Sequence, residues 1–410
     1  MDALAGLGQP QAIISRTALL QNVKLLRRDL GPAVRICAIV KADAYGHGAA
    51  MVADALTIPR SDDARTPAVD ALAVVTIDEG LALGEPCVPV FVLRPLEGAY
   101  IGPQRQQVEL ALRRGFVLTV ATPAGAGDLA RIAIACSRRA DVQVMVDTGH
   151  AREGTPIDRL PALLETIDSY PSLKLTALCT HFASSEEPLN PFTTEQLRHF
   201  LLATAAPVLK NPRLIRHAAN SGGIFFSPAT HLDMVRPGIS LYGIDPTCQP
   251  SPKRPLRPVL KWVAPLSMIR RLQKGASVGY NQTWHADRDT PIGLVPVGYA
   301  DGYLRAFSSR AKMIIRGKAV PVVGRVSMDY VTIDLRAVPD AHVGDEVTVL
   351  DNDPLSPASV YELARCADTI PYEIFCRIGP RVRRVMIEPP DNEESNQWHT
   401  QDSTSPAKSA

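Results

Sequence analysis

The sequence predicts an α/β protein in two parts, a repeated strand–helix domain followed by a smaller, mainly antiparallel β domain. Three observations carry that expectation. Short apolar runs alternate with helix-spaced segments from Ala12 to about Gly243, a proline-rich break follows at Pro246–Pro258, and short β-rich runs come at close spacing beyond it. In chain order the first set is Ile36–Val40, Ala71–Thr76, Val88–Leu93, Val142–Val146, Leu175–Thr180 and Met234–Arg236. Continuous apolar runs bounded by turn residues suit parallel strands covered on both faces. Between them, Leu19, Val23, Leu26 and Leu30, and again Leu197, Phe200 and Leu201, fall at helical spacing. Such alternation fits an open sheet or an eightfold barrel, and the pattern alone does not choose.

The second set is Leu266–Arg271, Pro291–Val297, Lys312–Ile315, Ala319–Val323, Tyr330–Leu335 and Glu346–Leu350. It reads as a small barrel or sandwich. One helix, about Ser356–Ala367, interrupts it, with Ser356 as the expected N-cap before Pro357. The expected division is an N-terminal extension 1–11, an α/β domain 12–245, a linker 246–258, a β domain 259–387 and a disordered, polar, Pro- and Ser-rich tail 388–410.

Composition narrows the class. Across 410 residues, 46% are hydrophobic and 21% charged, as in a core-forming protein. A net charge of +2 with no basic run gives no reason to expect nucleic acid. No apolar stretch approaches the roughly 20 residues of a membrane span, and Met1–Gln11 has no leader pattern. The seven cysteines are scattered without a CxxC pair or a metal-ligand cluster, so reduced thiols, no metal and a cytoplasmic location are expected.

The sharpest motif is Ala38-Ile39-Val40-Lys41-Ala42-Asp43-Ala44-Tyr45-Gly46-His47-Gly48. An ammonium directly after a buried strand is costly to leave unpaired. At a C-terminal strand end it would face the active-site mouth of an α/β fold. A partly desolvated amine has a lowered pKa, which favours Schiff-base chemistry. Taken on these grounds alone, a lysine snorkelling from a strand end explains the motif equally well.

The whole string resembles the pyridoxal-phosphate attachment signature of alanine racemases. The resemblance continues in order through Asp147-Thr148-Gly149 with Arg152, Thr180-His181-Phe182-Ala183, Ala219-Asn220-Ser221 and Val235-Arg236-Pro237-Gly238-Ile239. In the second part it takes in Val278-Gly279-Tyr280, Gly298-Tyr299-Ala300-Asp301-Gly302, Val323–Asp329 and Ile370-Pro371-Tyr372-Glu373. It implies a TIM-like (β/α)8 barrel followed by the β domain, and a homodimer with shared sites. It also implies interconversion of L- and D-alanine, supplying D-alanine for peptidoglycan. By the same resemblance Lys41 carries the cofactor, and Tyr45, Asn220, Ser221, Gly238, Ile239 and Tyr372 surround its phosphate end. His181 lies against the ring and orients Arg236 or Tyr280. Arg236 meets the pyridine nitrogen, where a guanidinium can only donate and so keeps that nitrogen unprotonated. Lys41 and Tyr280 act as bases on opposite faces of the substrate carbon. Arg152, Met328 and Asp329 hold the substrate, and Tyr299 stands at its entry.

The sequence departs from the family pattern at one place. Many members carry a carbamylated lysine two residues before Asp-Thr-Gly, bonded to the active-site arginine, and here that position is Met145. Either an ion such as chloride or another side chain must then partner Arg152. His150 also stands where small or apolar residues are common. Alternative readings are a racemase of broader specificity, a decarboxylase of the same architecture, or a catalytically silent cofactor-binding regulatory protein. An acidic residue in place of Arg236 would favour the decarboxylase, and loss of either base the silent protein.

Overall fold

A computed structural model describes residues 8–58, 66–97 and 103–388. The expected tail lies outside them apart from Glu388, as does most of the expected N-terminal extension. Eight parallel strands close into a barrel: Arg35–Ile39, Ala71–Val74, Val90–Val92, Val117–Val120, Ala140–Asp147, Leu173–Cys179, Ile215–His217 and Met234–Val235. Closure is made where Met234–Val235 pairs with Arg35–Ile36 and Val117–Val120 pairs with Ala140–Asp147. Strands such as Ala71–Val74 and Val90–Val92 are buried at every residue, which explains their unbroken apolar runs. The choice between open sheet and barrel is thus settled for the barrel.

Two barrel strands were not foreseen, Val117–Val120 and Ile215–His217. Thr119 interrupts the first, and its hydroxyl donates to Val92 O at 2.5 Å inside the barrel. The second has only three residues, and its buried His217 serves a polar interior. Inward residues of a barrel strand can be polar when the interior supplies partners, so hydropathy underreads them.

Helices cover the barrel. In Arg16–Leu30 the stripe Leu19, Val23, Leu26 and Leu30 is buried as its spacing predicts. Ser15 caps its start by accepting from Ala18 N–H at 3.2 Å. The segment after Ala71–Val74 begins with a capping box, in which Thr76 and Glu79 each take the other's backbone N–H.

The β domain is built on a six-stranded sheet ordered Lys318–Pro321, Lys312–Ile315, Glu346–Leu350, Leu260–Pro265, Gln11–Ser15 and Arg383–Ile387. Met268–Leu272, Thr290–Val295 and Val331–Asp334 form a second, antiparallel sheet. One expectation is corrected here. Gln11–Ser15 does not open the α/β domain but sits inside the β-domain sheet, antiparallel to Leu260–Pro265 and parallel to Arg383–Ile387. Its alternating burial, with Ala12 and Ile14 fully enclosed, is that of a strand needing cover on one face. The β-domain helix is also corrected. It runs Val360–Ala367 with Ser359 as N-cap, accepting from Glu362 N–H at 3.3 Å. The residues between the bridge partners Asp351 and Ser359 run through turns, closed by Ser356 N–H on Asp353 O and Ser359 N–H on Ser356 O, so Ser356 caps a turn instead.

The proline-rich connector is pinned to the barrel rather than loose. Arg254 pairs with the buried Asp245 at 2.5 Å, and Asn22 bonds both N–H and C=O of Arg257 at 2.8 Å. Among the described residues, no helix is long and apolar enough to cross a membrane.

Candidate active site

The strand Arg35–Ile39 delivers Lys41 to the C-terminal mouth of the barrel, as in barrel enzymes generally. There the chain turns through a left-handed helical turn. Ala42, Asp43, Ala44 and Tyr45 all have φ of 51–54° and ψ of 42–51°. Such backbone costs about 1–2 kcal/mol per non-glycine residue, so neighbours must hold it. Glu79 accepts Ala42 N–H at 2.8 Å, Asp43 accepts Ala49 N–H at 2.7 Å on its side chain, and Gly48 N–H closes on Asp43 O at 2.9 Å. Gly46 permits the β domain to approach, because a Cβ there would lie 2.2 Å from Phe375 O.

Lys41 opens into a cavity of about 1070 Å³. Burial lowers the pKa of its amine, and Arg152 lowers it further, while Glu153 and Glu79 act the other way. At one end of the cavity lies a polar corner. A Cβ on Gly238 would come within 2.5 Å of the Tyr45 hydroxyl. Ser221 Oγ accepts from Gly238 N–H at 3.0 Å and from Ser240 N–H at 3.3 Å. Ile239 and Tyr372 complete the lining, and the Tyr372 ring stands 6.1 Å from that of Tyr45. Asn220 also lines the cavity, but its side-chain oxygen already accepts from Gly223 N–H and from the Ser185 hydroxyl.

Arg236 forms the floor and is buried. Its terminal nitrogens donate to the carbonyls of His217, Thr180 and Ala218 at 3.0, 2.7 and 3.0 Å. Nη1 also donates to Nδ1 of His217 at 2.8 Å, and Nη2 lies 3.4 Å from Nδ1 of His181. None of these contacts uses Nε. A guanidinium has no acceptor, so both imidazoles present a bare Nδ1 to it and are neutral. Burial, with Arg236 second, holds both histidines well below the usual imidazole range. His217 was missed in the sequence, where a single histidine in a three-residue run carries no signal. His181 lies within reach of Arg236, whereas Tyr280 does not line the cavity.

Arg152 lines the same cavity and pairs with Glu153, its Nε and Nη2 at 3.3 and 2.8 Å from one carboxylate oxygen. Met145 is buried at the cavity wall. The unexplained His150 has its ring 5.4 Å from that of His181, with Nδ1 buried and unbonded.

The β-domain residues are elsewhere. Tyr280, Met328 and Tyr299 are 69%, 52% and 45% exposed, and none of them lines the Lys41 cavity. They belong to adjoining segments. Tyr299 N–H and Ala300 N–H bond the carbonyls of Ser327 and Met328, and a Cβ on Gly324 would lie 2.8 Å from Val278 O. Asp329 is engaged by Arg381 at 2.8 Å rather than lining the cavity, and Arg381 also pairs with Asp301.

A barrel with an amine at its mouth, a corner of hydroxyl and amide groups, and an arginine floor defines an enzyme for a small anionic molecule. Family models for the N-terminal and C-terminal domains of alanine racemase match residues 14–246 and 259–386. The alanine racemase of Chlorobaculum tepidum is 37% identical over 92% of this chain and 95% of its own. That of Desulfovibrio desulfuricans is 35% identical over 92% and 98%. The Streptomyces coelicolor alanine racemase structure superposes with a TM-score of 0.82 at 32% identity, covering 94% of this chain and all of that one. A Bartonella henselae alanine racemase, solved with covalently bound pyridoxal phosphate, gives 0.77 at 26% over 93% and 100%. The chain belongs to the alanine racemase family.

Proposed function

We propose that the chain interconverts L- and D-alanine with pyridoxal phosphate carried on Lys41, and that two copies of the chain build each site. The observation that carries this reading is the meeting, in one cavity, of the Lys41 amine, the Tyr45–Ser221–Gly238 corner and the Arg236 floor. These residues fit the cofactor. A side chain at Gly238 would strike Tyr45, so glycine lets this backbone lie close against the Tyr45 hydroxyl, in a corner of hydroxyl and amide groups suited to a phosphate. Tyr45, Ser221, Ile239 and Tyr372 would hold that end, and Arg236 would meet the ring nitrogen.

When bound, pyridoxal phosphate supplies a carbonyl that condenses with amines and a ring that draws electrons from the substrate Cα. The remaining roles belong to this chain. The lowered pKa of Lys41 increases the fraction of amine free to take a proton from Cα on one face. Arg236 can donate but cannot supply its proton, so the floor stays a fixed cation. Arg152 would bind the substrate carboxylate, joined by the backbone amide of Met328 from the other chain. The partner's Tyr280 would serve the opposite face of Cα. Support for the shared site is that Tyr280, Tyr299 and Met328 are exposed together, away from the cavity that holds Lys41.

Borohydride reduction followed by peptide mapping should place a pyridoxyl label on Lys41. In deuterium oxide, L-alanine should exchange its Cα proton and yield D-alanine. A label on another lysine, or no exchange by the loaded protein, would overturn the reading.

A further inference from the structure

We infer that Glu153 is a positioning residue, whose carboxylate holds the Arg152 guanidinium at the Lys41 cavity so that its unused edge meets the substrate carboxylate. This rests on the racemase reading given above. The loop that carries the pair is tied at both ends. Asp147 accepts Gly149 N–H and Ala151 N–H at 2.9 and 3.1 Å on one oxygen. Eight residues on, Thr155 is buried, pairs with Val146 across a parallel bridge, and donates its hydroxyl to Ala121 O at 2.7 Å. Gly154, at φ 118°, lets the loop lie against Met145. A Cβ there would be 3.1 Å from Met145 O and 3.3 Å from its Cγ. Glu153 and Arg152 are therefore presented from a braced backbone rather than from a free loop.

The side chains complete the case. Both donors of Arg152 converge on one oxygen of Glu153, and Nη1 takes no part in the pair. Both residues line the cavity that contains Lys41. The carboxylates Glu186, Glu187 and Glu373 also line this cavity, with the cations Lys41, Arg94 and Arg236, but the one that Arg152 bonds is Glu153, and Met145 at the wall carries no charge. A guanidinium so placed needs a fixed anion to keep its direction, and two hydrogen bonds to a carboxylate supply one. The charge of Glu153 also opposes the effect of Arg152 on the Lys41 amine.

The test uses the full-length protein with Glu153→Gln, Glu153→Asp and Arg152→Lys. In the cofactor-loaded state, Glu153→Gln should raise KM for alanine in both directions by about three- to tenfold, with a smaller change in kcat. Glu153→Asp should recover part of that loss. In the cofactor-stripped state, the pH midpoint for acylation of Lys41, followed by peptide mass, should move to lower pH in Glu153→Gln. If Arg152→Lys raises KM while Glu153→Gln leaves both KM and the Lys41 midpoint unchanged, the inference is overturned and the racemase reading stands. If Arg152→Lys leaves KM unchanged in an active racemase, the assigned role of Arg152 fails, and the inference falls with it.

Discussion

The imidazole of His47 is enclosed between the rings of Tyr242 and Phe375, at 4.4 and 4.9 Å between centroids. Its Nδ1 faces the carbonyls of Ala44 and Tyr45 at 3.0 and 2.9 Å, so that nitrogen must carry the proton. Nε2 is buried without a partner. A second proton would have to sit there, and burial pulls the pKa from 6.5 down to about 4. Between those values the unfolded chain binds more protons than the folded one, so stability falls as the pH falls. The contribution is complete above about pH 6.5 and is lost toward pH 4, amounting to as much as about 3 kcal/mol from this residue. His181 and His217 act in the same direction. Urea midpoints at pH 7.5 and 5 should therefore diverge, and His47→Asn, which keeps the donor and removes the titration, should narrow the gap. An unchanged gap in that variant would remove His47 from the account.

At the scale of the element, the left-handed turn Ala42–Tyr45 decides where the Lys41 amine points, and it is secured by a contact between domains. Arg384 donates to Gly46 O at 3.0 Å, and Phe375 O occupies the space a Cβ at Gly46 would need. Gly46 also has φ 78°, so alanine there meets both backbone strain and a clash. Gly46→Ala should cost about 2 kcal/mol or more and lower cofactor occupancy, read by thermal unfolding and by absorbance of bound pyridoxal phosphate. Gly84 supplies the control. It has the same φ of 78° but nothing within 4 Å, so Gly84→Ala should cost only about 1 kcal/mol and leave occupancy intact. Equal losses in the two variants would show that strain, and not the domain contact, sets the cost.

For the whole molecule, the separation of Lys41 from Tyr280 leads to a test of the proposed sharing. In a twofold dimer each site takes one base from each chain. When Lys41→Ala and Tyr280→Ala subunits are dissociated and mixed, about half the dimers should be mixed, each with one site intact and one lacking both bases. Activity should return to roughly a quarter of wild type. If both bases came from one chain, every site would lack one of them and mixing would restore nothing. Subunit exchange, confirmed independently by mass, makes a flat result decisive against sharing.

Apolar runs and turn residues alone gave the two-part division in outline, most barrel strands, and Lys41 as a candidate at a strand end. These are local signals: apolar runs set by two-sided burial, turn residues, and a lysine placed directly after a strand. Resemblance along the chain added the other site residues and their roles, those of Arg236 and Tyr280 among them, which no spacing reveals. Tertiary structure decided the rest. Only barrel closure explains why Thr119 and His217 lie inside, because a polar residue becomes a strand-interior residue when partners such as Val92 O and Arg236 face it. Only the folded sheet shows that Gln11–Ser15 serves the far end of the chain, since strand pairing depends on edges brought together from more than 200 residues away. The same holds for Arg152. The sequence exposed the missing charge at Met145, but finding the partner at Glu153 required the loop that folds over it.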